Sequence, residues 1–195
     1  MTPKEKDTIR ETIVEAASSM FGKFGYKKTT MDDIALASRK GKTAIYYYFK
    51  NKDDIFRAVI EKEALLLSTE IMKAVSIHTN PVEKLKAYIL TRMIALRNVA
   101  TFYDAMKNEL LDQLNFINKT REEYDRAELE MVTAILTEGT QKGNFKVKHI
   151  GTVASTIVTS LKGLEIPFLI HTAPEELEEK VSDFIEIICF GIIKR

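Results

Sequence analysis

A chain of 195 residues that is 45% hydrophobic and 29% charged has the apolar mass for a real core and the surface of a water-soluble protein. With 8 Gly, 4 Pro and scarce strand-like alternation it reads as all-α, and its single cysteine, Cys189, excludes a disulfide framework or a cysteine-held metal cluster. The net charge of +1 hides an asymmetry: residues 1–52 carry 11 Lys and Arg against 6 Asp and Glu, a balance of +5, while the remainder carries 18 against 22, or −4. Basic charge gathered at one end points to an anionic partner there.

The first helix is expected from Asp7 to Phe24, where Ile9, Ile13, Ala16, Ala17, Met20, Phe21 and Phe24 recur at steps of three and four. Gly25 ends it. Thr30 is placed to cap a short second helix, Met31 to Ala37, with Asp33 three residues on completing a capping box. Ser38-Arg39-Lys40-Gly41 forms a turn with a cationic tip, and a third short helix follows to Tyr48. Asn51 caps the fourth, with Asp53 and Asp54 in its first turn and Ile55, Phe56, Val59 and Ile60 on its apolar side, running on to about Val75.

Longer helices then follow at about 82–99, 100–116, 121–142, 148–171 and 175–194, so about nine in all. Gly163 and Pro167 predict a kink or an early end in the penultimate one. The chain divides into an N-terminal three-helix part, residues 1–52, whose second and third helices make a helix-turn-helix, and a C-terminal helical part, residues 53–195, the boundary falling inside the fourth helix. The charged N-terminus lacks the apolar stretch of a secretory signal, and the most apolar run, Ile185 to Ile193, is short and interrupted by Glu186. The expectation is a cytoplasmic protein with no membrane partner.

Residues 30–52 hold what a DNA-reading unit needs. Two short helices must meet through a tight turn, with small or polar side chains at base edges and cations or hydroxyls at phosphates. Lys42 can reach a phosphate, Thr43 and Ala44 are small enough for close approach, and Tyr46 and Tyr47 carry hydroxyls on rigid arms. Lys52 joins a charge to the free N–H groups of a helix start, and Thr30 and Lys28 can act likewise before the second helix. Tyr48 reads as packing and Lys50 as solvated.

The stretch Ile34-Ala35 through Lys42-Thr43-Ala44-Ile45-Tyr46-Tyr47-Tyr48-Phe49-Lys50-Asn51-Lys52-Asp53-Asp54 resembles the N-terminal domain of the tetracycline-repressor (TetR) family. So does the preceding run of Ala16-Ala17, Phe21, Gly25-Tyr26 and Thr29-Thr30. The likeness covers residues 8–60 in detail and the rest in length and helical character. It implies phosphate contacts at Thr30, Lys42, Tyr46 and Lys52, groove-facing positions at Thr43, Ala44 and Tyr47, and core positions at Ile45 and Phe49. The turn departs from the family, which often has Ala-Gly-Val-Ser where this chain has Ser38-Arg39-Lys40-Gly41, and that leaves open whether Arg39 and Lys40 touch DNA.

The resemblance further implies that residues 1–52 are a DNA-binding domain and residues 53–195 a ligand-binding and dimerisation domain, in a repressor that binds a palindromic operator in double-stranded DNA as a homodimer and is released by a small-molecule effector. Met93, Phe102, Tyr103, Met106, Phe116, Tyr124, Met131 and Phe168 are the candidate pocket residues, and with few paired charges among them they favour an apolar or aromatic effector. Ile157, Leu161, Val181, Phe184, Ile185 and Ile188 are the candidate dimer interface, on the last two helices. No cofactor is implied, and His78, His149 and His171 lack metal-ligand spacing. An enzyme and an inducer-free helical interaction protein are the other readings. No phosphate loop, nucleophile elbow, zinc motif or dinucleotide fingerprint supports the first, and the basic N-terminal end argues against an interaction protein with no DNA role.

Overall fold

The computed structural model describes residues 3–98 and 122–192, and everything structural below refers to them. Eight helices appear among the described residues: α1 (Pro3–Phe24), α2 (Met31–Ala37), α3 (Lys42–Tyr48), α4 (Lys52–Ser76), α5 (Pro81–Asn98), α6 (Glu122–Gln141), α7 (Ile150–Ile170) and α8 (Pro174–Ile192). The expected helix at 100–116 lies outside them. The chain forms two compact units, dividing after Ala64.

In the N-terminal unit, local chemistry sets the breaks. Gly25 takes φ 80° and its N–H closes onto the Phe21 carbonyl at 2.9 Å, ending α1 as expected. Pro3 starts that helix one turn earlier than Asp7, at a first-turn position where a missing N–H costs nothing. Thr30 caps α2: its Oγ1 accepts from the Asp33 N–H at 3.2 Å, and the Asp33 carboxylate accepts from the Thr30 N–H at 2.8 Å. Asn51 caps α4 by accepting from the Asp54 N–H at 2.8 Å.

Ile13, Ala17 and Phe21 of α1, Ile34 of α2 and Ile45 of α3 are buried with Ile55, Phe56, Val59 and Ile60 of α4. Phe21, Phe56 and Tyr26 form a ring cluster with centroids 4.8 to 5.6 Å apart. The first turns of α4 therefore complete this core, and the compact unit extends past the boundary expected at residue 52.

In the second unit α5 packs against α6, α7 and α8, and α7 against α6 and α8. Pro81 and Pro174 each open a helix, the position where proline is best tolerated. Gly143, at φ 75°, closes α6 and turns the chain back so that the buried Phe145 ring covers Gly139. Of the kink or early end expected near Pro167, the early end does not occur: α7 runs through it to Ile170, close to the expected bounds, and the Pro167 carbonyl accepts from the Thr172 hydroxyl at 3.1 Å. No described helix is long and apolar enough to cross a membrane.

Candidate nucleic-acid interface

The turn between α2 and α3 fixes how the third helix is presented. The Arg39 N–H bonds the Leu36 carbonyl at 3.1 Å and the Lys40 N–H bonds the Ala35 carbonyl at 3.0 Å. This is a Schellman closure, and it needs its left-handed residue at Arg39, which has φ 54°. Gly41 precedes α3 without a side-chain cap, so the helix opens on uncapped N–H groups.

On α3, Ile45 is buried and Thr43, Tyr46 and Tyr47 are exposed, with Ala44 half-buried between them. Tyr47, 66% exposed, stands edge-on to Tyr48 at 5.0 Å between centroids. This one small face carries hydroxyls and methyls toward solvent, as a reading surface requires. Phe49 is buried, as the family resemblance implies, under the Arg10 guanidinium at 5.2 Å.

The cations expected at phosphates behave differently from one another. Lys42 is exposed and its ammonium pairs with Asp32 at 2.8 Å, a hydrogen bond that holds the lysine above its ordinary pKa. Such a surface pair contributes little and exchanges readily for a phosphate. Lys52 is turned inward instead. Its Nζ donates to the Tyr26 carbonyl at 2.7 Å and the Thr29 carbonyl at 2.9 Å, and it sits 4.1 Å from the centre of the Tyr26 ring. Burial pushes its pKa down.

The Tyr26 hydroxyl donates to Asp53, the next residue of α4. The start of α4 is thereby latched to the loop before α2. Thr30 spends its hydroxyl on the cap, donating to Asp33 at 2.7 Å and accepting from the Asp33 N–H. Those hydrogen bonds hold the exposed Asp33 carboxyl below its ordinary range.

In the second unit, Met93 is fully buried on α5, while Tyr124 and Met131 on α6 and Phe168 on α7 are half-buried. Phe102, Tyr103, Met106 and Phe116 lie outside the described residues. The same helices carry a buried ion-pair network that their periodicity does not announce. Arg92, 0% exposed, donates from Nε to Glu128 at 2.5 Å and from Nη2 to Glu165 at 2.6 Å. The Tyr88 hydroxyl donates to the same Glu128 oxygen at 2.8 Å. The two carboxylates hold the guanidinium charged despite burial, while burial, reinforced by Glu128, pushes the Tyr88 phenol far up. The available signal was a lone charge inside an apolar run: Arg92 between Thr91 and Met93, and Glu165 between Leu164 and Ile166.

The expected dimer face is largely used up inside the chain. Ile157, Leu161 and Val181 are buried to within 2% and Ile185 to 7%, leaving Phe184 and Ile188 half-buried. The apolar groups that α8 does expose are Ile187 at 71% and Phe190 at 67%, one step around the helix. Gly151, Thr152, Ser155, Thr156 and Thr159 form a small-residue exposed face on α7. An apolar stripe reads the same whether it meets its own chain or another, and here it meets its own chain.

Comparison with known proteins agrees with this geometry. The family described as bacterial regulatory proteins, tetR family, matches residues 13–59, which span the second half of α1, α2, α3 and the start of α4. The transcriptional repressor KstR2 of Mycolicibacterium smegmatis is 27% identical over 98% of this chain and 94% of its own. A transcriptional regulator from Cytophaga hutchinsonii, 26% identical, superposes with a TM-score of 0.78 over 94% of this chain and 98% of that one. The Bacillus subtilis regulator FadR, solved in complex with stearoyl-CoA, has the same fold at a TM-score of 0.75 and 20% identity, over 93% and 98% of the two chains. The tight turn before α3, the latched start of α4 and the matched span together make residues 13–59 a DNA-binding domain of the tetR family of bacterial regulatory proteins.

Proposed function

We propose that this regulator is a repressor that sits on a palindromic operator as a homodimer and leaves it when a small molecule enters the second unit. The observation that carries the reading is the exposed face of α3, with Thr43, Ala44, Tyr46 and Tyr47 presented behind a rigid turn and Lys42 at its N-terminal end. In this reading Lys42 and Tyr46 contact phosphate, and Thr43, Ala44 and Tyr47 face base edges. Thr30 and Lys52 position the loop and the second helix. Two-fold symmetry would set the reading helices one turn of DNA apart, roughly 34–36 Å. The last two helices meet a second copy through Phe184, Ile187, Ile188 and Phe190 and the small face of α7.

The effector has an apolar or aromatic body. Met93, Tyr124, Met131 and Phe168 supply apolar surface, and the stearoyl-CoA held by the Bacillus subtilis neighbour is consistent with a largely hydrocarbon ligand. Release follows only if the effector prefers the state in which the reading helices no longer match the groove spacing. The operator, and with it the site of action, is chromosomal DNA in the cytoplasm.

The test is selection of a bound sequence from random duplexes, followed by fluorescence anisotropy and sedimentation. The expected result is a two-fold symmetric site, two protomers per duplex, and loss of binding on titration with a long-chain acyl thioester. Failure to bind any duplex above the non-specific level at low salt removes the DNA-reading function. Phe190→Glu is expected to give monomers, and a dimer that survives it places the interface elsewhere.

A further inference from the structure

Arg39 stands in a backbone conformation that its side chain disfavours. It is the one non-glycine residue with positive φ among those described. Residues other than glycine reach that region at a cost, and those that do so most often are Asn and Asp, whose short side chains bond locally. Arg39 has neither that chemistry nor a local compensation: its guanidinium makes no hydrogen bond, ion pair or ring contact among the described residues, and the side chain is exposed. The Schellman closure around it is complete and would be served better by glycine. Nothing in the fold of the unit uses the arginine.

Its position supplies a use. Arg39 lies three residues before Lys42, the first residue of α3. A helix-turn-helix reading helix enters the major groove by its N-terminal end, so the turn before it rides at the groove's edge, where the phosphates run. Many cations of this unit are committed elsewhere: Lys52 to the Tyr26 and Thr29 carbonyls, Lys62 to Glu11 and Glu15, Arg10 to the Phe49 ring, and Lys42 in part to Asp32.

We propose that Arg39 is a phosphate-contact residue, held in a strained turn so that its guanidinium clamps the duplex backbone beside the reading helix. The proposal rests on the reading of α2 and α3 as the DNA-reading head. The fork of guanidinium donors suits a phosphate, bound through two parallel hydrogen bonds. The contact adds affinity without sequence information and lies where this chain departs from its family's usual glycine.

The test pairs two variants, R39G and R39Q, in the full-length protein. Both remove the charge, and only R39G relieves the backbone. Anisotropy against potassium chloride, on a selected operator and on a scrambled duplex, should show several-fold weaker binding to both. The slope of log K against log salt should fall by about 0.9 for each protomer bound. R39K should restore much of the slope. In thermal melts R39G should hold or exceed the wild-type midpoint, by up to about 2–4 °C, so its loss of DNA affinity cannot be ascribed to unfolding. The proposal is overturned if R39G and R39Q keep the wild-type slope on a duplex that the wild type binds specifically. If the wild type itself binds no duplex specifically, the DNA-reading function fails and the Arg39 contact fails with it.

Discussion

The two units treat charge in opposite ways. In the N-terminal unit most charges lie outside and are paired loosely: Lys42 meets Asp32 on the surface, and Arg39 has no partner among the described residues. In the second unit Arg92 is sealed in the core between Glu128 and Glu165. An exposed pair contributes little and can be traded for a phosphate when DNA arrives. A buried pair can be traded for nothing, because each ion left behind would be stranded away from water. The first arrangement suits a surface that must change partners, the second a core that must keep its shape.

Breaking the buried side of this contrast should have the largest effect. Arg92→Ala strands two carboxylates and should cost about 3–5 kcal/mol in urea unfolding. A cost below about 1 kcal/mol would show that water already reaches the three groups. Lys52→Met tests the intermediate case. It removes two charge-assisted hydrogen bonds at a partly exposed site, and should cost about 1–2 kcal/mol once solvent screening is allowed for. Because its ammonium points at Tyr26 and Thr29, the salt slope of DNA binding should hold. A fall of the slope with no loss of stability would return Lys52 to the phosphates.

Asp32→Asn should act least on the fold and most legibly on DNA. It removes a carboxylate from beside α3 and frees Lys42, so operator affinity should rise several-fold at low salt. The added Lys42→Ala change should then flatten the salt slope by about 0.9 per protomer. Unchanged affinity in Asp32→Asn would mean that Lys42 keeps the same environment in the complex.

What was legible in the sequence was local. Gly25, the Thr30–Asp33 box and the Asn51 cap each act within a few residues, so their spacing alone announces them. The exposed face of α3 was legible for the same reason, as it needs one buried Ile45 among small and polar neighbours. What stayed hidden was tertiary. Lys52 looks like any cation at a helix start, and only folding brings it to carbonyls 26 and 23 residues away. Arg92 meets its partners across 36 and 73 residues, a separation no periodicity encodes. Val181 and Leu161 pack inside their own chain although their pattern suits an interface equally well, since burial has no address in a single sequence.

The sealed network in the second unit also has a spectroscopic consequence. Hydroxyl and guanidinium protons normally exchange with water too fast to be seen. The Tyr88 hydroxyl proton and the Arg92 Nε proton are both bonded to one Glu128 oxygen and screened from solvent. The Tyr88 hydroxyl should appear as a separate line downfield of the amide protons, and the Arg92 Nε–H as a slowly exchanging line set apart by its nitrogen shift. Met93, a candidate pocket residue, adjoins Arg92, with its Sδ 3.7 Å from the guanidinium. These lines would therefore act as a label-free gauge of occupancy, shifting when a small molecule fills the core of the unit.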